Sequence, residues 1–502
     1  VSKRALLSVY DKTGLEAFAG GLVSLGYELV ASGGTSKALA DAGIAHLEVE
    51  AVTGAPEMLG GRVKTLHPRI HGGILADRSK PDHLAAIAEQ GIEPIDLVVC
   101  NLYPFRSDPS IEMIDIGGPS MVRAAAKNHD AVGVVVDPAD YGEMLDELRR
   151  EGELSASTRR RLARAAFAHT AAYDAAIVGW FDDGDGTLLP PTLHLSLERA
   201  QDLRYGENPH QDGARYRETG SRSFWDDVEQ HSGLALSYLN LYDTDAAWRL
   251  VHDLGDGPAV AIIKHANPSG AAIASETADA YRLAYEADEK SAFGGIVALN
   301  RPVDDATAEA MVAAAQADVI IAPAWDPGTI DKLIARRKNT RLLTAPAPSP
   351  DRLHLRQISG GLLVEEPHHY AAERADWQVV TERRPTDDEW RDAELAWRLC
   401  GHVKSNAVVL VAGGQAVGVG AGQQSRVDAG EIATRKAAGR AKGGASATDA
   451  FYPFRDGLDA AAAAGVAVVI QPGGALRDDE LIAAANEHGM AMVFTGERHF
   501  FH

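Results

Sequence analysis

The chain has 502 residues, enough for two large domains or about three smaller ones. Hydrophobic residues make up 45% and charged residues 24%, the balance of an ordinary globular protein, which excludes disorder as the main state. Lys and Arg total 49 against 71 Asp and Glu, a formal charge of -22. Such a surface repels duplex nucleic acid and anionic membranes, so neither is expected as a partner. No run approaches the ~20 apolar residues of a membrane span, and the first residues lack a secretory pattern. Two cysteines, Cys100 and Cys400, cannot form a disulfide framework. A cytoplasmic protein is expected. A small phosphorylated ligand would also be repelled unless local cations override the global field, so the places where Lys, Arg and His gather are the informative ones.

In chain order, residues 3–10 read as a short strand, 15–25 as a helix, 27–31 as a strand, 36–42 as a short helix and 46–50 as another strand. Residues 95–100 and 131–137 are Val-rich strands. Short apolar strands alternating with helices predict a parallel sheet covered on both faces, with ligands in the loops at the carboxyl ends of its strands. Residues 159–180 predict one helix. The polar, Gly-rich stretch 182–191, closed by a Pro pair, predicts a linker. The expected division is a first domain over 1–150, a helical connector and linker over 151–191, and a second domain over 192–502. In the last, residues 260–263, 295–299, 408–411, 466–470 and 490–494 are expected strands among Ala-rich helices, and 340–350 a Pro-rich loop.

Four loops of the first domain gather chemistry. Asp11-Lys12-Thr13-Gly14 and Ser32-Gly33-Gly34-Thr35 each follow a strand and open a helix, where free backbone N–H groups and the helix dipole favour a phosphate. Neither is a Walker A motif. Arg62-Val63-Lys64-Thr65 begins a run to His71 that holds three fixed cations and two imidazoles without a carboxylate. In an extended segment alternate side chains share a face, so Arg62 and Lys64 are expected to address one anion. The fourth element runs from Cys100-Asn101 and Tyr103 through Asp115-Ile116-Gly117-Gly118 to Lys127. From the residues alone Asp115 is equally a helix cap, and Lys127 equally a partner of the helix dipole.

In the second domain Arg204-Tyr205 open a loop dense in hydrogen-bonding groups. Lys264-His265 stand at the end of a buried strand, where their desolvation is tolerated mainly if they work. In a regular strand they face opposite ways, so Asn267-Pro268-Ser269-Gly270 is expected to bend the chain and bring both to one ligand. Gly294 sits in a turn, Asp318 starts an apolar run, and Asn406 precedes a strand. No dinucleotide fingerprint is met, and the zinc deaminase pattern is excluded because the two Cys lie 300 positions apart.

The series SVYDKTG, SGGT, GRVKTLHPRIHGGIL, CNLYPF and IDIGGPSMVRAAAKNH resembles the IMP cyclohydrolase domain of the bifunctional purine-biosynthesis family, whose fold is methylglyoxal-synthase-like. LRYGENPHQ, IIKHANPSGAA, SAFGGIVALNRPVD, GHVKSNAVV, VGVGAGQQSR, DAFYPFRD, QPGGALRD and FTGERHF are similar to the transformylase domain of the same family. That resemblance implies a larger cytidine-deaminase-like α/β domain of two related subdomains. It implies formyl transfer from 10-formyltetrahydrofolate to aminoimidazole carboxamide ribotide (AICAR), then dehydrative closure of formyl-AICAR to IMP. His265 is implied as proton acceptor, Lys264 as its partner and Asn406 as an orienting amide. Arg204, Tyr205, Asn267, Gly294, Asp318, Arg426, Arg498 and His502 are implied on the AICAR side, and Val427, Asp449, Ala475 and Leu476 on the folate side. For ring closure it implies Lys127, Asp115 and Tyr103 as proton-handling groups. The nucleotide is then held by Tyr10, Asp11, Lys12, Ser32, Gly33, Gly34, Thr35, Arg62, Val63, Lys64, Thr65, Cys100, Asn101 and Ile116. No catalytic metal is expected, a structural monovalent cation is compatible with the resemblance, and a homodimer is implied. A nucleotide-binding regulatory module fused to a different transferase is the alternative; it leaves Lys264-His265 unexplained.

Overall fold

A computed structural model describes residues 3–502 of the chain. They fall into two units: the first runs to Leu197 and takes in Glu218–Gly220, and the second holds Glu198–Arg217 and Ser221–His502. In the first unit β1 (Lys3–Leu7), β2 (Tyr27–Ala31), β3 (Leu47–Glu48), β4 (Leu97–Val99) and β5 (Gly133–Val135) form a sheet in the order β3-β2-β1-β4-β5. Every pairing is parallel. Ala5-Leu6-Leu7, Leu29-Val30-Ala31 and Leu97-Val98-Val99 are buried without interruption. Continuous apolar runs rather than alternating ones are what a parallel sheet with both faces covered requires.

The helix Ala156–Gly184 corrects the connector expected over 151–191. Its start is capped by Ser155, whose hydroxyl accepts from the Thr158 N–H at 3.2 Å. It buries Leu162, Ala163, Ala166 and Tyr173 in the core of the first unit, and Arg159 donates to the His129 carbonyl at 2.9 Å. An apolar stripe of this width must lie on a core. The helix also runs four residues past the expected end at 180, so the polar stretch begins helical.

The second unit contains most of the strands. Two-stranded sheets join β6 (Leu197–Leu203) to β7 (Gly213–Glu218), and β14 (His354–Ile358) to β15 (Gly361–Glu365). A 12-stranded sheet takes β8 (Glu229–Gln230), β9 (Ala259–Lys264), β10 (Asn267–Ile273), β11 (Ile296–Leu299), β12 (Val319–Ala322) and β13 (Arg341–Thr344). It continues with β16 (Gln378–Val379), β17 (Val408–Ala412), β18 (Gln415–Gly420), β19 (Ala445–Thr448), β20 (Val468–Gln471) and β21 (Ala491–Phe494). The order is β16-β21-β20-β19-β17-β18-β10-β9-β11-β12-β13-β8.

Reading outward from the middle, each half repeats one plan. A hairpin (β9–β10 or β17–β18) is followed by three mutually parallel strands (β11–β13 or β19–β21) and closed by a short antiparallel edge strand (β8 or β16). These are the two related subdomains. They meet where β10 pairs antiparallel with β18, Ala272 opposite Gln415. The halves therefore run in opposite senses: the amino ends of β11–β13 and the carboxyl ends of β19–β21 share one edge. Residues 340–350, expected as a loop, begin with β13, because Leu342 and Leu343 are buried beside β12.

Among the described residues no helix is long and apolar enough to cross a membrane. Cys100 and Cys400 are both buried, and burial pushes both thiols well above their ordinary range. Neither should react with an aromatic disulfide reagent in the native protein, and both should react after denaturation; a native thiol that titrates rapidly would contradict this burial.

Candidate active sites

The first unit builds its site from the loops after β1, β2 and β4. After β4, Asn101 accepts from the Tyr10 and Asp11 N–H groups at 2.6 and 2.9 Å and donates to the Asp11 carbonyl at 2.9 Å. Asn101 thereby fixes the neighbouring loop. The Asp11 carboxylate is spent within that loop, accepting from the Thr13 N–H and hydroxyl at 2.9 and 2.7 Å. Thr35 is buried, its hydroxyl taking the Val9 N–H at 2.9 Å and giving to the Val9 carbonyl at 3.0 Å.

The helix Gly33–Asp41 opens with no side-chain cap at Ser32 and with Gly33 at a φ of 54°. A Cβ on Gly33 would stand 3.3 Å from the Lys64 Nζ, and one on Gly34 3.6 Å from the Lys12 Nζ. Two ammoniums thus close on an uncapped helix start, with glycine leaving room between them. Such an arrangement suits a phosphate. At rest Lys64 is paired with Glu57 at 2.6 Å.

Arg62 is not aligned with Lys64 as an extended segment would make it. Its backbone is helical (φ -66°, ψ -22°), so the alternation argued from an extended strand fails there, and its guanidinium pairs with Glu112. Val63 is held in a bridge to Met58. Thr65 is buried with its hydroxyl 2.8 Å from where a Cβ on Gly117 would stand. Cys100, expected to contact substrate, keeps its thiol buried and can offer only main chain.

Asp115 and Tyr103 do come together. The Asp115 carboxylate accepts from the Gly118 N–H at 2.8 Å, so it is also the helix cap that was one reading of it. Burial raises its pKa, against the pull of the Gly118 and Tyr103 hydrogen bonds. Burial and the charge of Asp115 raise the phenol of Tyr103, and Lys64 draws it back down. The Tyr10 ring lies edge-on to Tyr103 at 5.9 Å, and Ile116 is exposed beside Asp115.

Lys127 is not part of this group within one copy of the chain. It ends the helix Gly117–Lys127, whose first turn carries the Asp115 cap; ten residues of helix are about 15 Å. Lys127 instead lines a 790 Å³ cleft with Arg123, Arg160, Arg164, His71 and His129.

In the second unit the expected residues fall on the single sheet edge defined above. β9 ends at Lys264, and β10 begins at Asn267 directly opposite it. The bend is therefore His265-Ala266 itself, a two-residue hairpin turn, and not the Asn-Pro-Ser-Gly expected to supply it. Both turn residues are left-handed, at φ 55° and 53°, as this turn type demands and as non-glycine residues resist. His265 is exposed, not desolvated in a strand. Lys264 is half-buried and donates to the Phe293 carbonyl at 2.9 Å. Asn267 donates to the His265 carbonyl at 3.1 Å and accepts from the Lys404 N–H at 3.0 Å, joining the two halves.

Gly294 precedes β11 and Asp318 precedes β12, so these stand at amino ends of parallel strands, as a turn into a strand and the start of an apolar run imply. A Cβ on Gly294 would lie 3.9 Å from the Asp318 carboxylate. Burial lowers the pKa of Arg341, at the start of β13, with Asp318 opposing and the neighbouring Arg204 adding to the shift. The Arg204 guanidinium lies over the Tyr205 ring at 5.6 Å.

From the other half Asn406 accepts from Arg426 at 3.0 Å and donates to the Gln423 carbonyl at 2.9 Å. Arg426 is paired with Asp449 at 3.0 Å, their side chains 8% and 0% exposed. Asp449 also accepts from the Ser405 hydroxyl and, through its carbonyl, from the His499 N–H at 3.0 Å. It was expected on the folate side; its carboxylate is sealed from any ligand and serves to hold Arg426. Val427 starts the helix Arg426–Ala437, Ala475 and the fully exposed Leu476 follow β20, and Arg498 and His502 follow β21. Arg498 is exposed over the Phe500 ring at 4.3 Å. Lys404 lies 3.8 Å from the Phe501 ring centre and donates to the His502 carbonyl at 2.6 Å.

Comparison with known proteins gives the family. The family described as AICARFT/IMPCHase bienzyme matches residues 125–436, and the MGS-like domain matches residues 14–133. The chain belongs to the AICARFT/IMPCHase bienzyme family. The bifunctional purine biosynthesis protein PurH of Parvibaculum lavamentivorans is 49% identical over 523 residues, covering 100% of this chain and 97% of its own. PurH of Jannaschia sp. is 50% identical over 526 residues, covering 99% of this chain and 98% of its own. A solved structure described as the crystal structure of ForH is 40% identical, covering 36% of this chain and 100% of its own at a TM-score of 0.34.

Several residues packed against these candidate sites were not singled out from the sequence. Tyr173, from the helix Ala156–Gly184, donates to the Met113 carbonyl at 2.6 Å and accepts from the Asp115 N–H at 2.8 Å. Arg341 and Lys404 lay in stretches read as a loop and as an approach to a strand. Asp243, on the helix Tyr238–Asp253, accepts from the His265 and Ala266 N–H groups at 3.2 and 2.9 Å. Only their side-chain type was visible in the sequence, without a partner.

Asp115 yields a test of sign. A carboxylate whose folded pKa is raised favours the fold while protonated, and that contribution is lost as pH rises through the folded pKa. Asp115→Asn keeps an oxygen for the Gly118 N–H and removes the buried charge. It should raise the melting temperature above that pKa, and the gain should vanish below pH 4. An unchanged melting temperature at pH 8 would contradict the burial of this carboxylate.

Proposed function

We infer that the two units of this bienzyme divide the last two steps of IMP synthesis, the second unit transferring the formyl group and the first closing the ring. The AICAR amine is conjugated with its ring and carboxamide, hence a weak nucleophile. It needs positioning, a proton acceptor and a cationic environment for the tetrahedral oxyanion. The gathering of Lys264, His265, Asn267, Asn406 and Arg426 at one sheet edge is the observation that carries the reading.

In this scheme the exposed imidazole of His265 takes the amine proton as the new C–N bond forms. The folate C–N bond breaks, and the departing folate nitrogen regains a proton. Lys264, held by the Phe293 carbonyl, supplies positive charge beside the developing oxyanion. Asn406, oriented by Arg426 and Gln423, presents an amide to the substrate. Arg204 and Arg498 are the cations for the AICAR phosphate, with Tyr205, Gly294, Asp318 and His502 around its ring and ribose. Val427, Ala475 and Leu476 form the side open to 10-formyltetrahydrofolate, the co-substrate.

In the first unit the formyl-AICAR phosphate sits on Gly33-Gly34 between Lys12 and Lys64. Asp115 and Tyr103 handle the protons as the carboxamide nitrogen attacks the formyl carbon and water leaves. Burial raises the pKa of Asp115, the direction that favours a proton-donating role. A homodimer in the cytoplasm completes the proposal, resting on the resemblance alone; so does a structural monovalent cation.

Tetrahydrofolate release on mixing AICAR with 10-formyltetrahydrofolate, followed by absorbance, separates the two activities. His265→Ala should lower release by about 1,000-fold while cyclisation of added formyl-AICAR persists. Asp115→Ala should do the reverse. A folded variant that loses both activities together would overturn the assignment of one reaction to each unit.

A further inference from the structure

The repeat inside the second unit builds the same turn twice. β9 and β10 are joined by His265-Ala266, and β17 and β18 by Gly413-Gly414. All four residues are left-handed, at φ 55° and 53° in the first turn and 58° and 75° in the second. Glycine is the ordinary occupant of such a turn. Each turn is also gripped from a helix by one carboxylate. Asp392, the sixth residue of the helix Asp387–Cys400, accepts from the Gly413 and Gly414 N–H groups, both at 2.8 Å. Asp243, the sixth residue of the helix Tyr238–Asp253, accepts from the His265 and Ala266 N–H groups at 3.2 and 2.9 Å.

The antiparallel meeting of β10 and β18 sends these two turns to opposite edges of the sheet. Only the first lies beside Asn406 and Arg426. Where the turn has no chemistry, it carries glycine and its carboxylate merely closes a hairpin. Where it carries the imidazole, glycine is replaced by residues that resist the conformation, and the same carboxylate must hold them in it. We propose that Asp243 is a positioning residue for formyl transfer: its two hydrogen bonds hold His265 and Ala266 left-handed and so aim the imidazole at the reacting amine. This rests on the assignment of His265 as proton acceptor.

The paired clamps supply the control. Asp243→Ala and Asp392→Ala each remove one carboxylate from one two-residue turn. Asp243→Ala should lower kcat for formyl transfer by about 100-fold, the scale of a misplaced catalytic group, with KM for AICAR changed less than about threefold and cyclisation of formyl-AICAR unaltered. Asp392→Ala should leave kcat within about twofold of the parent, because Gly413-Gly414 adopt the turn unaided. Adding Ala266→Gly to Asp243→Ala relaxes one of the two resisting positions and should restore kcat by about tenfold, whereas Ala266→Gly alone should leave it near the parent value. Asp243→Asn, which retains one acceptor oxygen, should fall between.

The proposal is overturned if Asp243→Ala keeps full kcat. It is equally overturned if Asp392→Ala loses as much, or if Ala266→Gly restores nothing, since each marks the effect as general loss of folding. Including His265→Ala distinguishes the two levels: an active His265→Ala variant removes the proton-acceptor assignment itself, while an inactive one beside a fully active Asp243→Ala removes only the clamp.

Discussion

Where β10 meets β18, Ala272 lies opposite Gln415 and the two halves of the sheet run in opposite senses. The gathering of the second unit's candidate residues on one edge follows from that pairing. Because strand direction reverses across it, the carboxyl-end loops of β19–β21 and the amino-end loops of β11–β13 open on the same edge. A site built by one half alone would draw on only one of these two sets of loops. With both, Lys264 and Asp318 come from one half and Arg426 and Arg498 from the other, bridged by the hydrogen bond from Lys404 to Asn267. Ligand loops at carboxyl ends are the rule for open α/β sheets; half of this site obeys it and half reverses it, for a reason that lies in the register and not in the chemistry.

On a chain of net charge -22, both units place cations by local construction. In the first, glycine at positions 33 and 34 lets two ammoniums approach a helix start. In the second, Arg426 is buried with Asp449, Ser405 and Asn406 around it, so its charge is compensated and its direction fixed. A buried pair of this kind contributes little net stability, but removing one partner strands the other charge in a poor solvent. Its value lies in orientation. Left-handed His265 and Ala266 add a further local expense of about 1–2 kcal/mol per residue, localised where an imidazole must point outward.

Much of this was legible in the sequence. Uninterrupted runs such as Ala259–Ile263 and Val408–Val411 announce buried strands, and β2 begins and ends where its residues predict. The two glycine-containing loops of the first unit declare themselves by glycine after a strand. What was not legible is what depends on a distant partner. The residues 267–273 contain Pro and Gly and read as a bend, yet they form β10 because Lys264 and β18 supply the pairing. Arg62 and Lys64 look like a matched pair until Glu112 and Glu57 claim them separately. Asp449 sits in a motif with exposed aromatics and is itself sealed, and Lys127 stands at the far end of the helix from Asp115. Asp243 carries no local mark at all; its meaning depends on a turn 22 residues later.

The helix Ala156–Gly184 bears on how the chain can be dissected. Leu162, Ala166 and Tyr173 are core residues of the first unit, and each large apolar side chain contributes about 1.5–3 kcal/mol by burial. The Tyr173 hydroxyl also bonds the backbone on either side of Ile114. A fragment ended at residue 150, the boundary that strand alternation suggests, would expose the underside of the sheet and free the segment that carries Asp115. A piece that keeps this core must retain the helix at least through Trp180.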